Sequence, residues 1–247
     1  MKRLSKPSMV LISLSALLTL GSISAQENEL IKLPKDSEID ILYPGDYKKG
    51  EFDIHFMDRE WWGVYARNNK SYLKKVHLTL DKLEPDVQYD WEYQISIQEK
   101  NDCIFLVSGL NLNEKSFEHY TGLDFLDKNK EFTFQHGPYH TFLSSKLESE
   151  ETVGDVKKYN YSIHLNYNTN EHHYSQELFM FPCYGEELIM RIIWAGDIDN
   201  DEKTDFLLQI PTPPFNEIGD ATGLFLSSKA SPNELVKLVA YFISKGC

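Results

Sequence analysis

An all-β fold, built as a single antiparallel β-sandwich or a loose barrel, is the fold class that this sequence predicts. Apolar and polar residues alternate along many short runs, which is the two-residue period of a half-buried strand. Clusters of Asn, Asp, Gly and charged residues separate these runs at the spacing of tight turns. The chain also carries 14 Tyr, 14 Phe and 4 Trp residues, which supply enough bulky side chain for a sizeable core.

The first predicted strands form a hairpin near the start of the β-rich part. Residues 60–67 and the alternating run 71–80 flank the segment 68–70, which contains two Asn residues. A short Asn-containing connection between two such runs is typical of a β-hairpin. Residues 91–98 alternate in the same way, and a charged turn joins them to an apolar strand at 103–107.

Further strands are predicted through the middle and the C-terminal part of the chain. The run at 187–194 is apolar on both faces, as expected of a central strand that is covered on both sides. The other runs alternate or are short and apolar, and they lie at 131–135, 139–143, 158–167, 174–181, 205–210 and 224–228.

The last segment carries two competing signals. Ser231, Pro232 and Glu234 have the order of a helix start, with a cap, a proline in the first turn and an acid three residues after the cap. Residues 236–243, however, read as an apolar strand that would pair with 224–228 as a hairpin. We favour the strand, and a short C-terminal helical turn is the alternative.

The N-terminus has the pattern of a secretory signal peptide. Lys2, Arg3 and Lys6 precede a mostly apolar run at 9–20, and small residues follow as far as Ala25. The apolar run is too short to cross about 30 Å of hydrocarbon as a helix. We therefore expect cleavage after Ala25, export to the periplasm or the extracellular space, and no stable membrane span in the mature chain.

The sequence predicts three segments: a signal peptide at 1–25, a poorly patterned N-terminal arm at 26–50 and a single β-rich domain at 51–247. The formal net charge is −13, and loss of the three basic residues of the signal peptide makes it −16. So acidic a chain repels nucleic acid, which is excluded as a partner. An oxidising exterior allows one disulfide among Cys103, Cys183 and Cys247, and the sequence does not say which two of them pair.

A cluster of carboxylates lies between the predicted strands 187–194 and 205–210. Asp197, Asp199 and Asp201 occupy positions one, three and five of a turn, the carbonyl of Lys203 falls at position seven, and Asp205 at position nine. Carboxylates this close repel one another unless a cation neutralises them. Calcium takes six to eight oxygen ligands and suits such a set. The turn predicts a calcium site, and an acidic solvated turn is the alternative.

The residues around this turn decide between two kinds of calcium loop. A helix–loop–helix site needs Glu at position twelve, where this chain has Leu208. Residues 191–194 and 206–210 are also strand-like and not helical. Residues 194–208 therefore resemble the calcium hairpins of FG-GAP and integrin-α-like repeats, in which a D-x-D-x-D-G-x-x-D turn joins two strands.

The resemblance implies side-chain ligands from all four aspartates of the turn. This chain departs from the pattern at position six, where Glu202 replaces the usual glycine and a positive φ would strain the backbone. The sequence lacks the repeats and glycine-rich motifs of propeller proteins, so a propeller is not implied.

The function expected from these features is that of an exported, non-enzymatic β-protein with a structural calcium hairpin, such as an envelope adhesion or ligand-binding module with an unknown ligand or envelope partner. No serine-nucleophile elbow, zinc-binding helix motif or phosphate loop is present, so we assign no catalytic residue. The alternative is a secreted carbohydrate-active hydrolase that uses acidic residues such as Asp58 and Glu60, which flank Arg59 and precede Trp61 and Trp62.

Overall fold

The fold is all-β and antiparallel, as predicted. The computed structural model describes residues 31–35, 37–67, 70–84, 90–120, 124–128, 130–136, 139–169, 171–185, 189–211 and 221–244. These ranges hold a short 3₁₀ turn at Ile54–Asp58 and no α-helix. They also hold strands β1 (Asp40–Leu42), β2 (Gly45–Lys48), β3 (Trp61–Arg67), β4 (Lys70–Val76), β5 (Thr79–Lys82), β6 (Trp91–Ser96), β7 (Cys103–Ser108), β8 (Lys115–Tyr120), β9 (Asp124–Asp127), β10 (Glu131–His136), β11 (Tyr139–Val153), β12 (Val156–Asn168), β13 (His173–Tyr184), β14 (Ile189–Gly196), β15 (Asp205–Ile210), β16 (Ala221–Leu226) and β17 (Lys237–Ile243).

The largest sheet contains ten of these strands in the order β1-β7-β3-β4-β8-β14-β15-β16-β17, with β9 also paired to β14. Its two ends approach each other, because the Ser37 hydroxyl donates to the Val239 carbonyl and the Tyr43 hydroxyl donates to Thr222 Oγ1 at 3.0 Å. The two halves of the sheet face each other across a common core. Among the described residues no sheet closes into a barrel, so the sandwich-like alternative is the one present.

Successive residues of the central strands point into different cores. In β15, Leu207 packs in the core between the two halves of the large sheet, together with Trp62. Its neighbours Phe206 and Leu208 pack in a second core, against the four-stranded sheet β10-β11-β12-β13. The layer containing β14, β15 and β16 is therefore covered on both faces, which explains why these strands read as apolar runs.

A third, smaller sheet covers the outside of the first half of the large sheet. It has the order β2-β6-β5. Tyr47 and Ile95 from this sheet pack with Trp61, Tyr65 and Leu106 from β3 and β7. The molecule is thus a stack of β-layers with three cores between them.

Within the range 26–50, which the sequence presents as a poorly patterned arm, residues 40–42 and 45–48 form β1 and β2. Ile41 and Leu42 are 2% and 1% exposed. These two short strands are therefore packed into the fold. Strands of three or four residues give too few alternations to be recognised, which explains the difference. The predicted signal peptide lies outside the described residues.

The predicted strand at 71–80 is two strands in two different sheets. β4 pairs with β3 and β8, whereas β5 pairs with β6. Val76, Leu78 and Leu80 nevertheless all pack against the same core. The apolar alternation therefore continues while the chain leaves one sheet and enters another, and periodicity does not reveal the break.

The C-terminal strand is confirmed, since β17 pairs with β16 as the predicted hairpin. The helix-start signature before it makes a single turn, in which Glu234 N donates to Ser231 O and Ser231 N donates to Glu234 Oε2, both at 2.9 Å. Gln176 Oε1 then accepts the N–H groups of Leu235 and Val236. These bonds hold an extended path, so the signature makes this one turn and no helix follows it among the described residues.

The described residues include no helix with the length and apolar character needed to cross a bilayer.

Candidate metal centre

The aspartate turn joins two neighbouring strands of the layer that is covered on both faces. Gly196 at the end of β14 is paired with Asp205 at the start of β15, so residues 197–204 form the loop of a β-hairpin, as predicted. Asp205 is completely buried and Asp197 is 7% exposed. Ile198 between them packs in the core between the two halves of the large sheet, which anchors the loop.

Three of the predicted ligands come together. Asp197, Asp199 and Asp205 each offer one carboxylate oxygen, and these three oxygens lie within 4.8 Å of one another. Oxygens bound to the same calcium ion stand about 2.3–2.6 Å from it, so they are at most about 5 Å apart. The spacing of the three oxygens therefore fits a common cation.

The Asp197 carboxylate also shapes the loop. Its Oδ1 accepts the N–H of Asp201 and its Oδ2 accepts the N–H of Glu202, each at 3.1 Å. These bonds fold the chain back over the carboxylate, and they leave each oxygen with a second lone pair for another partner.

Of the two further predicted ligands, Asp201 lies outside the group of three. Asp201 Oδ2 accepts the hydroxyl of Ser227 at 2.7 Å, and its Oδ1 accepts the N–H of Lys203 at 3.0 Å. Lys203 is exposed, and this hydrogen bond uses its N–H and not the carbonyl that was predicted as a ligand. Asp201 is thus beside the group and oriented towards a serine.

The loop after β16 supplies residues that the sequence did not predict. Ser227 donates its N–H to Asp205 Oδ1 at 2.9 Å, and its hydroxyl lies 3.0 Å from the same oxygen. The hydroxyl of Ser228 donates to Asp199 Oδ2. Two consecutive serines after a strand are too common in sequences to indicate a site, so only the pairing of β15 with β16 reveals this contact.

The cluster holds more acceptors than donors. The hydroxyl of Ser227 has one hydrogen, yet it lies within hydrogen-bond distance of both Asp201 and Asp205. The Oδ1 atom of Asp199 is buried and has no hydrogen-bond partner among the described residues. Lys115 Nζ donates to the backbone carbonyl of Asp197 at 3.1 Å and not to a carboxylate. A buried acceptor without a partner is costly, so this arrangement favours an additional positive group.

The electrostatics agree with this count. Burial, and then the nearby charge of Asp199, raise the pKa of Asp205 well above its ordinary value, although the N–H groups of Ser227 and Ile198 oppose the rise. Burial also raises the pKa of Asp199, with additional repulsion from Asp201 and Asp197. Carboxylates in these positions are stabilised by a proton or by a metal cation.

Two residues of the loop have a left-handed backbone. Asn200 and Glu202 both have φ of 66°. Asn tolerates this conformation, whereas for Glu it costs roughly 1–2 kcal/mol. Glu202 therefore has a positive φ and carries the strain that a non-glycine residue has in this conformation.

The carboxylates of the hydrolase alternative, Asp58 and Glu60, are both exposed. Glu60 is exposed, forms an ion pair with Lys75 and accepts the indole N–H of Trp62 at 3.3 Å. The hydrogen bond from Lys75 lowers the pKa of Glu60, whereas the general acid of a glycosidase needs a raised pKa. Asp58 is exposed in the 3₁₀ turn.

The two described cysteines form no disulfide with each other. Cys103 is half-buried and Cys183 is buried. Burial raises the pKa of the Cys103 thiol to about 12, which makes it unreactive at neutral pH. Cys247 lies outside the described residues, so its pairing stays open.

The chain was compared with protein-family models, with curated proteins and with solved structures. The resemblance of the aspartate turn to FG-GAP and integrin-α-like hairpins rests on residues 194–208 alone. No family model, no curated protein and no solved structure matches the chain.

Proposed function

We propose that this chain is an exported, non-enzymatic β-protein in which the 197–205 loop binds one calcium ion that stabilises the fold. The observation that carries the proposal is the group of three carboxylate oxygens, from Asp197, Asp199 and Asp205, within 4.8 Å of one another at a buried hairpin. The unpartnered oxygen of Asp199 supports it independently of the charges.

The chemistry of the donors favours calcium over other metals. Every available ligand atom is an oxygen, which suits hard cations and not zinc or copper. The predicted carbonyl of Lys203, the Asp201 carboxylate and water molecules at the half-exposed side of the loop would complete a set of six to eight. Magnesium demands a nearly ideal octahedron, whereas calcium accepts an irregular arrangement of this kind.

A structural role for the ion follows from its place in the fold. The ion would connect the β14–β15 loop to Ser227 and Ser228 after β16, and so would tie three neighbouring strands of the central layer together at one end. Strain at Glu202 would lower the affinity. Extracellular calcium sites commonly work with dissociation constants of about 10⁻⁴–10⁻³ M, so a weakened site remains effective outside the cell.

The wider role we propose is that of an adhesion or ligand-binding module of a cell envelope. It is supported by the predicted signal peptide, the acidic surface and the lack of recognisable catalytic motifs in the sequence. The exposed, lysine-paired state of Glu60 gives the hydrolase alternative no support.

Thermal unfolding with and without calcium tests the proposal. An ion that binds the folded state alone at 100 times its dissociation constant adds about 2.7 kcal/mol to the free energy of unfolding. For a chain of this size we therefore expect the melting temperature to rise by roughly 5–10 °C. The Asp199→Asn variant should lose the shift, whereas Glu171→Gln, which changes an exposed acid elsewhere, should keep it. An unchanged melting temperature of the wild type in about 0.1 M calcium, which is 100 times a dissociation constant of about 10⁻³ M, would contradict the proposal.

A further inference from the structure

A cleft lies at the opposite end of the central layer from the aspartate turn. Gln209 near the end of β15 and Thr222 near the start of β16 form its floor, whereas the turn is at Asp205 at the start of β15. With a rise of about 3.4 Å per residue, Gln209 is roughly 13 Å along the strand from Asp205. The cleft has a volume of about 430 Å³, which is in the usual range of small-molecule sites, about 300–1,000 Å³.

Aromatic side chains form the walls of this cleft. Tyr43 comes from the turn between β1 and β2, Trp91 from β6 and Phe242 from β17. All three are half-buried, so each presents part of its ring surface. A Cβ atom added at Gly45, also in the wall, would have no heavy atom within 4 Å, which indicates open space beside these rings.

Contacts with the surrounding protein hold the aromatic wall in position. The Tyr43 ring meets Phe242 edge-on at 5.5 Å, and its hydroxyl donates to Thr222 Oγ1 at 3.0 Å. The N–H of Tyr43 donates to the hydroxyl of Tyr47 at 2.9 Å. The ammonium of Lys48 lies 5.5 Å from the centre of a Trp91 ring. A wall that is fixed before binding loses little conformational entropy when a ligand arrives.

Charges of both signs surround the cleft. Arg191 on β14 is exposed, and the structure assigns its guanidinium no ion pair within the described ranges. Asp46 accepts Gln94 Nε2 at 2.7 Å and Glu51 accepts the N–H of Lys48 at 2.7 Å. The Asp46 carboxylate has lone pairs for additional donors. An anionic ligand would face two carboxylates and a cationic ligand would face Arg191, so the lining disfavours a ligand with a net charge.

We propose that this cleft binds a neutral carbohydrate. The face of a pyranose ring presents C–H groups that pack on an aromatic surface, for which Trp91 and Tyr43 are placed. Its hydroxyls both donate and accept, which matches the carboxylate of Asp46 and the guanidinium of Arg191 in the lining. The site is separate from the calcium turn and from the exposed Asp58 and Glu60.

Calorimetric titration and saturation-transfer NMR with a panel of neutral sugars test this proposal. The panel contains glucose, galactose, mannose, N-acetylglucosamine and the α-1,4- and β-1,4-linked glucose disaccharides, with glucuronic acid as the charged comparison. At least one neutral sugar should bind the full-length mature protein in saturating calcium. Trp91→Ala and Arg191→Gln should each raise the dissociation constant for that sugar at least about tenfold, which is about 1.4 kcal/mol of binding free energy.

The controls separate loss of the site from loss of the fold. Tyr184→Ala removes an aromatic side chain that is 58% exposed on β13 and should bind the sugar like the wild type. Asp199→Asn should lose the calcium-dependent rise in melting temperature and should bind the sugar like the wild type. Failure of the calcium proposal can therefore be told apart from failure of the cleft proposal. The cleft proposal is overturned if no neutral sugar of the panel binds the wild type, if glucuronic acid binds better than every neutral sugar, or if folded Trp91→Ala and Arg191→Gln proteins both bind as the wild type does.

Discussion

The carboxylates of two acidic hairpins in this molecule have different kinds of partner. At the far end of the β11–β12 hairpin, Glu150 pairs with Lys157 at 2.5 Å and Glu151 with Lys158 at 3.1 Å. In the β14–β15 loop the carboxylates contact backbone N–H groups, serines and one another, and no ion pair to them is present in the described part of the chain. The density of acidic residues is similar, but within the described residues only the first hairpin has carboxylates in ion pairs with lysines.

The backbone of the two turns differs in the same sense. The β11–β12 turn has Gly154 in the left-handed region, with φ of 63°, where glycine is unstrained. The β14–β15 loop places Asn200 and Glu202 there instead. Acidity alone therefore does not mark a metal site. Burial, carboxylates that form no ion pair with the described residues, and a strained backbone together distinguish the loop that we propose as a calcium site from an ordinary solvated hairpin.

The largest difference between the hairpins should appear when one carboxylate is removed from each. Asp205→Ala leaves the N–H groups of Ile198 and Ser227 without their acceptor in a buried place, whereas the Ser227 hydroxyl keeps Asp201 as an acceptor. We expect a loss of about 3–5 kcal/mol in the free energy of unfolding, measured with urea. A loss below about 1 kcal/mol would show that Asp205 does not organise the loop.

The two hairpins should also differ in how their contributions to stability change as the pH falls, and this effect should be smaller. Burial raises the pKa of Asp205 and Asp199 in the calcium-free protein, so their ionised forms destabilise the fold. Stability should therefore rise as the pH falls through the raised pKa values towards the unfolded value of 3.8. The hydrogen bond from Lys146 lowers the pKa of Glu148 on β11, so its contribution is present above its unfolded pKa and is lost as the pH falls through the lowered value.

The pH effect of the loop is isolated by comparing calcium-free wild type with Asp199→Asn in urea titrations between neutral pH and pH 4. The wild type should gain stability relative to the variant on acidification. Saturating calcium should reverse the trend, because protons then displace the cation. A stability difference that does not change with pH in the calcium-free protein would argue against a strained group of carboxylates.

The backbone strain at Glu202, position six of the turn, predicts that a glycine at this position increases the free energy of unfolding. Glu202→Gly removes the left-handed strain, which is offset in part by the entropy of glycine, and should stabilise the protein by up to about 1 kcal/mol. Glu202→Ala removes the same charge and keeps the strain, so it is the matched control. If the two variants unfold at the same urea concentration, the backbone strain is absent.

The smallest effect is expected at the β11–β12 hairpin. Glu150→Gln breaks an exposed ion pair and should change the free energy of unfolding by less than about 0.5 kcal/mol, with or without calcium. The urea midpoint in each condition measures this. A calcium-dependent difference for this variant would mean that calcium acts through general surface charge and not through the β14–β15 loop.

The sequence predicted the part of the site in the β14–β15 loop, but it did not predict the part formed by Ser227 and Ser228. Residues 205–210 match β15, and the positions of Asp197, Asp199 and Asp205 bring their carboxylates together, because local spacing sets the geometry of one hairpin. The contacts of Ser227 and Ser228 could not be predicted, since they depend on which strand lies beside β15. The prediction at 139–143 also covers only the first part of β11. The rest of this strand is mostly exposed and polar, so its sequence does not show the alternation of apolar and polar residues that predicts a strand.

A crystal structure of the mature protein in millimolar calcium tests the central claim most directly. We predict one calcium ion in contact with Asp197, Asp199 and Asp205, at oxygen distances of about 2.3–2.6 Å, with six to eight oxygen ligands in all. The Asp201 carboxylate should turn from Ser227 towards the ion. Density that refines only as water, or a loop whose carboxylates lie too far apart to share an ion at this calcium concentration, would contradict the account.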